Sequence, residues 1–193
     1  GRRPLITGGD NNDADFDGLR PAAARSTMSG PAGTVLLDTA SAEFITHHVS
    51  ILVGACSADC VPSVVRAYGC LVSPDRRSIT VFLSVAQSQQ VLRDLRAGGG
   101  IAVVFSRPRT HETIQLKGAR VQIAPLADGD RETMRAYGRS FGEEVGAVGF
   151  AGVFESAIMS GVEDEAVAVS FTPTAAFEQT PGPSAGQPLT VQS

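Results

Sequence analysis

The stretch Val61-Pro-Ser-Val-Val-Arg-Ala-Tyr-Gly-Cys-Leu-Val72 decides the fold, because it is an apolar strand pattern with a single arginine, Arg66, set inside it. Two further segments follow at short spacing. Phe82-Leu-Ser84 ends a strand and runs directly into a helix opening on Gln87-Ser-Gln-Gln90, and His111-Glu-Thr-Ile-Gln-Leu-Lys-Gly118 carries polar residues at alternate positions. Each segment is ordinary alone. Their order and spacing point to a small β-barrel that cradles a phosphorylated ligand.

Working outward, the chain reads as helix, strands, helix, strands, helix, strand. Residues 38–48 form the first predicted helix, capped by Asp38 or Thr39. Strands over 49–56 and 61–72 are joined by a hairpin through Ser57-Ala-Asp-Cys60, and Pro74-Asp75-Arg76-Arg77 turns into a third strand over 78–84. A helix over 87–97 places Val91, Leu92 and Leu95 on one face and stops at Gly98-Gly-Gly100. That glycine run follows a helix instead of opening one, so it is a terminating turn and not a dinucleotide-binding loop. Strands are expected over 101–106 and 111–124. Met134, Tyr137 and Phe141 at helical spacing mark an amphipathic helix over 128–144. A shorter helix over 150–160 and a last strand over 165–171 complete the pattern. Short antiparallel strands with flanking helices predict a mainly β protein, a closed or split β-barrel, and not a doubly wound sheet.

The chain has 193 residues, 42% of them hydrophobic and 19% charged, with a net charge of -4, which fits one soluble domain with a proper core. The basic residues are scattered and balanced, so no nucleic-acid partner is expected. No apolar run is long enough to span a bilayer, and no apolar segment follows Arg2 and Arg3 as a signal peptide requires, so the expected compartment is the cytoplasm. Residues 1–34, rich in Gly, Asp, Asn, Pro and Ala, are expected to be a flexible extension. The barrel occupies 35–180, and 181–193 reads as an irregular tail. Cys56, Cys60 and Cys70 lie in strand-like sequence without metal-ligand spacing and read as buried, reduced thiols; no metal site is expected.

The period of two puts Val64, Arg66, Tyr68 and Cys70 on one strand face. An arginine there needs an anion, since an unpaired buried guanidinium is costly. Two readings stand equal: a phosphate clamp, or a rim arginine paired with a surface carboxylate. The turn from Ser84 into the helix offers Ser88, Gln89 and Gln90 beside free backbone N–H groups, suited to an anion, although on this stretch alone an ordinary N-cap by Ser84 or Ser88 is the favoured reading. Thr113, Gln115 and Lys117 share one face of their strand with His111, a stripe that is a solvated face unless it lines a cleft. No nucleophile elbow, phosphate loop or zinc signature is present, so no catalytic residue is assigned.

Over residues 38–179 these segments together resemble the pyridoxamine 5′-phosphate oxidase-like proteins, the FMN-binding split β-barrel family. The resemblance rests on Arg66, the Leu83–Gln90 strand-to-helix turn, the Gln-Leu-Lys-Gly segment ending at Gly118, and Phe177-Glu-Gln-Thr-Pro-Gly-Pro183. It implies an FMN-binding oxidoreductase acting on a small molecule, paired as a homodimer with the flavin in clefts between subunits. On this resemblance Arg66, with Ala67 and Tyr68 beside it, meets the FMN phosphate. Leu83 and Ser84 line the flavin, Ser88 joins the phosphate grip with Gln89 and Gln90 at the adjacent positions, Thr113 or Gln115 approaches the ring, and Lys117 or Arg93 is a candidate to replace a missing phosphate cation. The chain departs from the family where Gln89-Gln90 replaces an Arg-Lys pair, and the oxidases' C-terminal substrate-binding Arg and His segment is not recognisable. The alternative is a split barrel that has lost FMN or takes another ligand such as a deazaflavin.

Overall fold

Asp38 opens the first helix, α1 (Thr39–Phe44), by accepting a hydrogen bond at Oδ1 from Ser41 N at 2.7 Å. The helix ends earlier than the sequence predicts. Thr46 donates its hydroxyl to Glu43 O at 2.9 Å, and His48 takes a left-handed φ of 60°, which turns the chain into the sheet. The computed structural model describes residues 35–150 and 165–189. The expected extension over 1–34 and the expected helix over 150–160 fall outside the described residues, apart from Phe150.

Among the described residues seven strands form one antiparallel sheet: β1 (Ser50–Cys56), β2 (Pro62–Arg66), β3 (Cys70–Val72), β4 (Ile79–Ser84), β5 (Ile101–Ser106), β6 (Thr113–Pro125) and β7 (Ala166–Glu178). Their order is β2-β1-β5-β6-β7-β4-β3. The two edges, β2 and β3, are consecutive pieces of one chain segment, separated only by Ala67, Tyr68 and Gly69. A sheet whose opposite edges belong to one short segment has to curl until the edges meet, and this makes the split half-barrel. Within the link the backbone changes partners. Ala67 N donates to Ile51 O at 2.9 Å, whereas Tyr68 N donates to Phe82 O at 2.8 Å.

This exchange corrects the expected continuous strand over 61–72. Gly69, at φ 140°, makes the bend, and a Cβ there would stand 3.0 Å from Phe82 Cδ2. It also corrects the shared face. Val64 is exposed, Tyr68 packs with Phe82, Met134 and Ala168, and Cys70 joins the barrel interior with Val81.

Inside the curl, alternate residues of each strand supply the core: Ile51 and Val53 from β1, Val103 and Phe105 from β5, Ile114 and Leu116 from β6, Val169 and Phe171 from β7. Helix α2 (Gln89–Arg96) packs Val91, Leu92 and Leu95 against this core. Helix α3 (Asp130–Ala147) straddles the split. Its Tyr137, Phe141 and Val145 join the interior cluster, while Met134 lies with Tyr68 and Phe82 on the other side of β4. Among the described residues no helix is long and apolar enough to cross a membrane.

Strand β7 runs well past its expected end at residue 171, because β6 pairs along it to Glu178 through register shifts at Lys117/Gly118 and Ala119/Gln122. Pro173, which would break a regular ladder, sits opposite Gly118 at the first shift. His111 is not in β6. Its φ of 60° and the bond from its N–H to Arg107 O place it in the preceding turn. Beyond Glu178 the chain turns and comes back, with Gly186 N donating to Glu178 O at 2.7 Å and Leu189 N to Ala176 O at 2.9 Å. The cysteines are not uniformly buried: Cys70 is, Cys56 is half-buried, and Cys60 is exposed at a hairpin turn with φ 61°.

Candidate functional site

Arg66 ends β2 where the chain leaves β1 for β4, so its side chain emerges at the split. Its guanidinium carbon lies 5.3 Å from the centroid of the Phe141 ring, which is itself stacked on Tyr137 at 5.8 Å and 3°. Among the described residues no carboxylate pairs with Arg66, and its Nη1 is buried with no hydrogen-bond partner. The rim ion pair is therefore not what holds it. Tyr137 beside it is also buried, and its hydroxyl lacks a partner of good geometry. Burial pushes the Tyr137 phenol up to about 12, and the nearby Arg66 cation opposes part of that shift.

At the start of α2, Ser88 occupies the N-cap position, yet its side chain makes no capping bond. Its Oγ is buried and without a partner. The segments carrying Ser88 and Arg66 run side by side, tied on both flanks. Ser63 Oγ donates to Asp94 Oδ2 at 2.6 Å, and Tyr68 Oη donates to Gln87 Oε1 at 2.5 Å. Ser84 and Leu83 are buried at the end of β4, and Ala67 is buried in the link.

Gln89 and Gln90 differ. Both are exposed, but Gln90 donates from Nε2 to Asp94 Oδ1 at 2.8 Å and accepts from Arg93 Nη2 at 2.6 Å. Asp94 is the residue that sequence reasoning missed. It is a carboxylate only 5% exposed, held by Ser63 and Gln90, and it brings negative charge to the first turns of α2. A lone acidic residue on an otherwise apolar helix face, three after Val91 and one before Leu95, was the available signal.

The stripe on β6 belongs to the outer face of the barrel. Register links Arg66 to Leu52, Leu52 to Val104, Val104 to Gln115 and Gln115 to Phe177, a single row across five strands. Arg66 and Gln115 stand three strand spacings apart in it, roughly 14 Å. Thr113 Oγ1 donates to His111 O at 2.9 Å and stands 2.8 Å from Ser106 Oγ, while Gln115 Oε1 accepts from Gln179 Nε2 at 3.4 Å. Lys117 Nζ lies 5.2 Å from the Phe177 ring centroid. Lys117 also lines an apolar groove of about 420 Å³ with Gly54 and Ala102 as its floor and Val64 and Pro62 at its side. Those small floor residues sit at outward positions of β1 and β5, where alternation alone gives no reason to single them out.

The structure thus brings Arg66, Tyr68, Ser84 and Ser88 to neighbouring segments, and sets Thr113, Gln115 and Lys117 farther along the outer face. No family model matches the chain, and no curated protein matches it. Among solved structures, the chain is similar to a proposed pyridoxamine 5′-phosphate oxidase of Lactobacillus delbrueckii, at 12% identity over 74% of this chain and 93% of that one, with a TM-score of 0.47. It is similar to an F420 reductase at 12% identity, covering 69% and 93% of the two chains with a TM-score of 0.46. General stress protein 26 of Bacillus anthracis aligns at 10% identity over 70% and 87%, with a TM-score of 0.42.

Proposed function

We propose that this chain binds FMN through its phosphate and acts as a flavin-dependent oxidoreductase on a small molecule. The observation behind this reading is two buried donors that have no partner among the described residues, Arg66 Nη1 and Ser88 Oγ, on adjacent segments. Each buried donor left unsatisfied costs about 1–3 kcal/mol, and a phosphate oxygen is an acceptor that satisfies both. The residues fit such a group in this respect. Arg66 supplies a charge-assisted contact, Ser88 supplies a hydroxyl at a helix N-terminus, and Phe141 steadies the guanidinium. Thr113, Gln115 and Lys117 are the polar residues of the outer face available to orient a ring. A bound flavin supplies hydride or electron transfer; the chain binds, orients and shields it.

A second copy of the chain completes this reading. Leu52 and Val64, 40% and 67% exposed, are apolar residues on the same outer face, which a homodimer would cover. Light scattering coupled to size exclusion tests this, with Val64→Asp expected to leave a folded monomer.

One observation favours the alternative of a barrel that has lost FMN or takes a deazaflavin. Gln90 is committed to Asp94, so the helix start offers a buried carboxylate where a cationic pair would strengthen a phosphate grip. The deciding experiment is an absorbance spectrum of purified protein after FMN is added and unbound flavin is removed by desalting. Retained flavin bands, lost in Arg66→Ala with the fold intact, are the expected result. A folded protein that retains none overturns the FMN reading and leaves the alternative.

A further inference from the structure

The β1–β2 hairpin carries two thiols that the flavin reading does not use. Cys56 is the last residue of β1, paired in register with Pro62, and Cys60 sits in the connecting turn. The turn is fixed by Cys60 N donating to Ser57 O at 3.0 Å, Ser57 N to Val61 O at 2.9 Å and Val61 N to Ser57 Oγ at 3.1 Å. Cys60 holds a left-handed φ of 61° there. The turn holds the two thiols four residues apart at the same end of the β1–β2 hairpin. The Cys56 thiol is raised first by burial, then by the neighbouring Cys60 thiol and by Asp94. Cys60 is exposed and Cys56 half-buried at the edge of the apolar groove, so Cys60 is the thiol more open to reagents.

We propose that Cys56 and Cys60 are a redox-active dithiol, a modification site for small disulfides of the glutathione class that converts to an intrachain Cys56–Cys60 disulfide. The Cys60 thiolate attacks one sulfur of the small disulfide, forming a mixed disulfide and expelling one thiolate, which takes up a proton. The Cys56 thiolate then attacks the Cys60 sulfur, closing the protein disulfide and expelling the second small thiol. The protein loses two electrons and two protons, and the small disulfide gains them as two thiols. Cys70 takes no part: it is buried in the barrel interior on β3, closed to reagents and outside the hairpin that carries the other two thiols.

The test equilibrates reduced full-length protein with glutathione disulfide, quenches with acid and alkylating agent, and reads intact and fragment masses. Wild type and Cys70→Ser are expected to lose two hydrogens, with no backbone fragments released between residues 56 and 60. Cys56→Ser, lacking the resolving thiol, is expected to hold one glutathione on Cys60. Circular dichroism of each reduced variant establishes that it is folded. A wild type that accumulates the Cys60 adduct as stably as Cys56→Ser overturns the proposal, and so does a wild type in which neither thiol reacts.

Discussion

The guanidinium of Arg66 rests on the ring of Phe141, 5.3 Å from its centroid, and meets no carboxylate among the described residues. A cation–π contact contributes about 0.5–2 kcal/mol and leaves the in-plane N–H donors available to an anion. The arginine of β2 is therefore held against α3, beside the Tyr137 hydroxyl, while its Nη1 has no partner of good hydrogen-bond geometry among the described residues.

From this arrangement Arg66→Ala is expected to weaken FMN about ten- to a hundredfold, the loss of one charge-assisted contact of about 1.5–3 kcal/mol. Flavin fluorescence titration measures it. Phe141→Leu is expected to give a smaller loss in the same direction, because it removes the ring and not the charge. Unchanged affinity in Arg66→Ala removes Arg66 from the site.

Ser88→Ala separates stability from binding. The Ser88 hydroxyl is buried and unpaired, so the free protein is expected to be as stable or up to about 1 kcal/mol more stable without it, while FMN affinity falls. Urea unfolding with and without flavin reads both quantities. A destabilised free protein would mean that the hydroxyl has an acceptor after all.

Alkaline stability reports on Tyr137. Its phenol is raised to about 12 by burial, from the ordinary value of 10. Between those values the folded chain keeps a proton that the unfolded chain has released, so stability falls as pH rises through this window and the loss levels off above it. The loss is on the order of 2 to 3 kcal/mol for this one group. Tyr137→Phe is expected to remove that portion of the decline, measured by denaturant midpoints from pH 8 to 12.

Gly118→Ala tests the crossing of β6 over β7. An added Cβ collides with the Phe171 ring at Cδ2 and stands 3.0 Å from Thr172 O, so something in a packed bulge has to move. The expected cost is about 1–3 kcal/mol, seen as a lowered Tm. An unchanged Tm would show that Phe171 yields freely.

Removing the buried carboxylate of α2 strands its partners. Asp94→Ala leaves Ser63 and Gln90 without their acceptor and is expected to destabilise by about 1–3 kcal/mol in urea. With the negative charge gone from beside the helix start, anion affinity is expected to rise. A fall in affinity would show that Asp94 positions the site instead of opposing it.

Much of this was legible in the residues themselves. The alternation of Ile51, Val53 and Ala55, the helical spacing of Met134, Tyr137 and Phe141, and the stop at Gly98-Gly-Gly100 are local properties of the backbone. They carry into the structure because a strand turns over every residue and a helix every 3.6, whatever packs nearby. Arg66 stood out for a similar reason, as a charge inside an apolar run.

What the tertiary structure alone decided are the partners. The run from Val61 to Val72 looks like one strand until β1 and β4 each claim half of it, and only then does Arg66 fall at a split covered by α3. Gln90 shows no partner in the sequence until the fold brings Asp94 within reach of its amide, and β7 reads as ending at residue 171 until β6 extends it past Pro173. Sequence spacing fixes which face a side chain takes within its own element. Which group answers it from the other side depends on chain segments tens of residues away, and only their packing brings the two together.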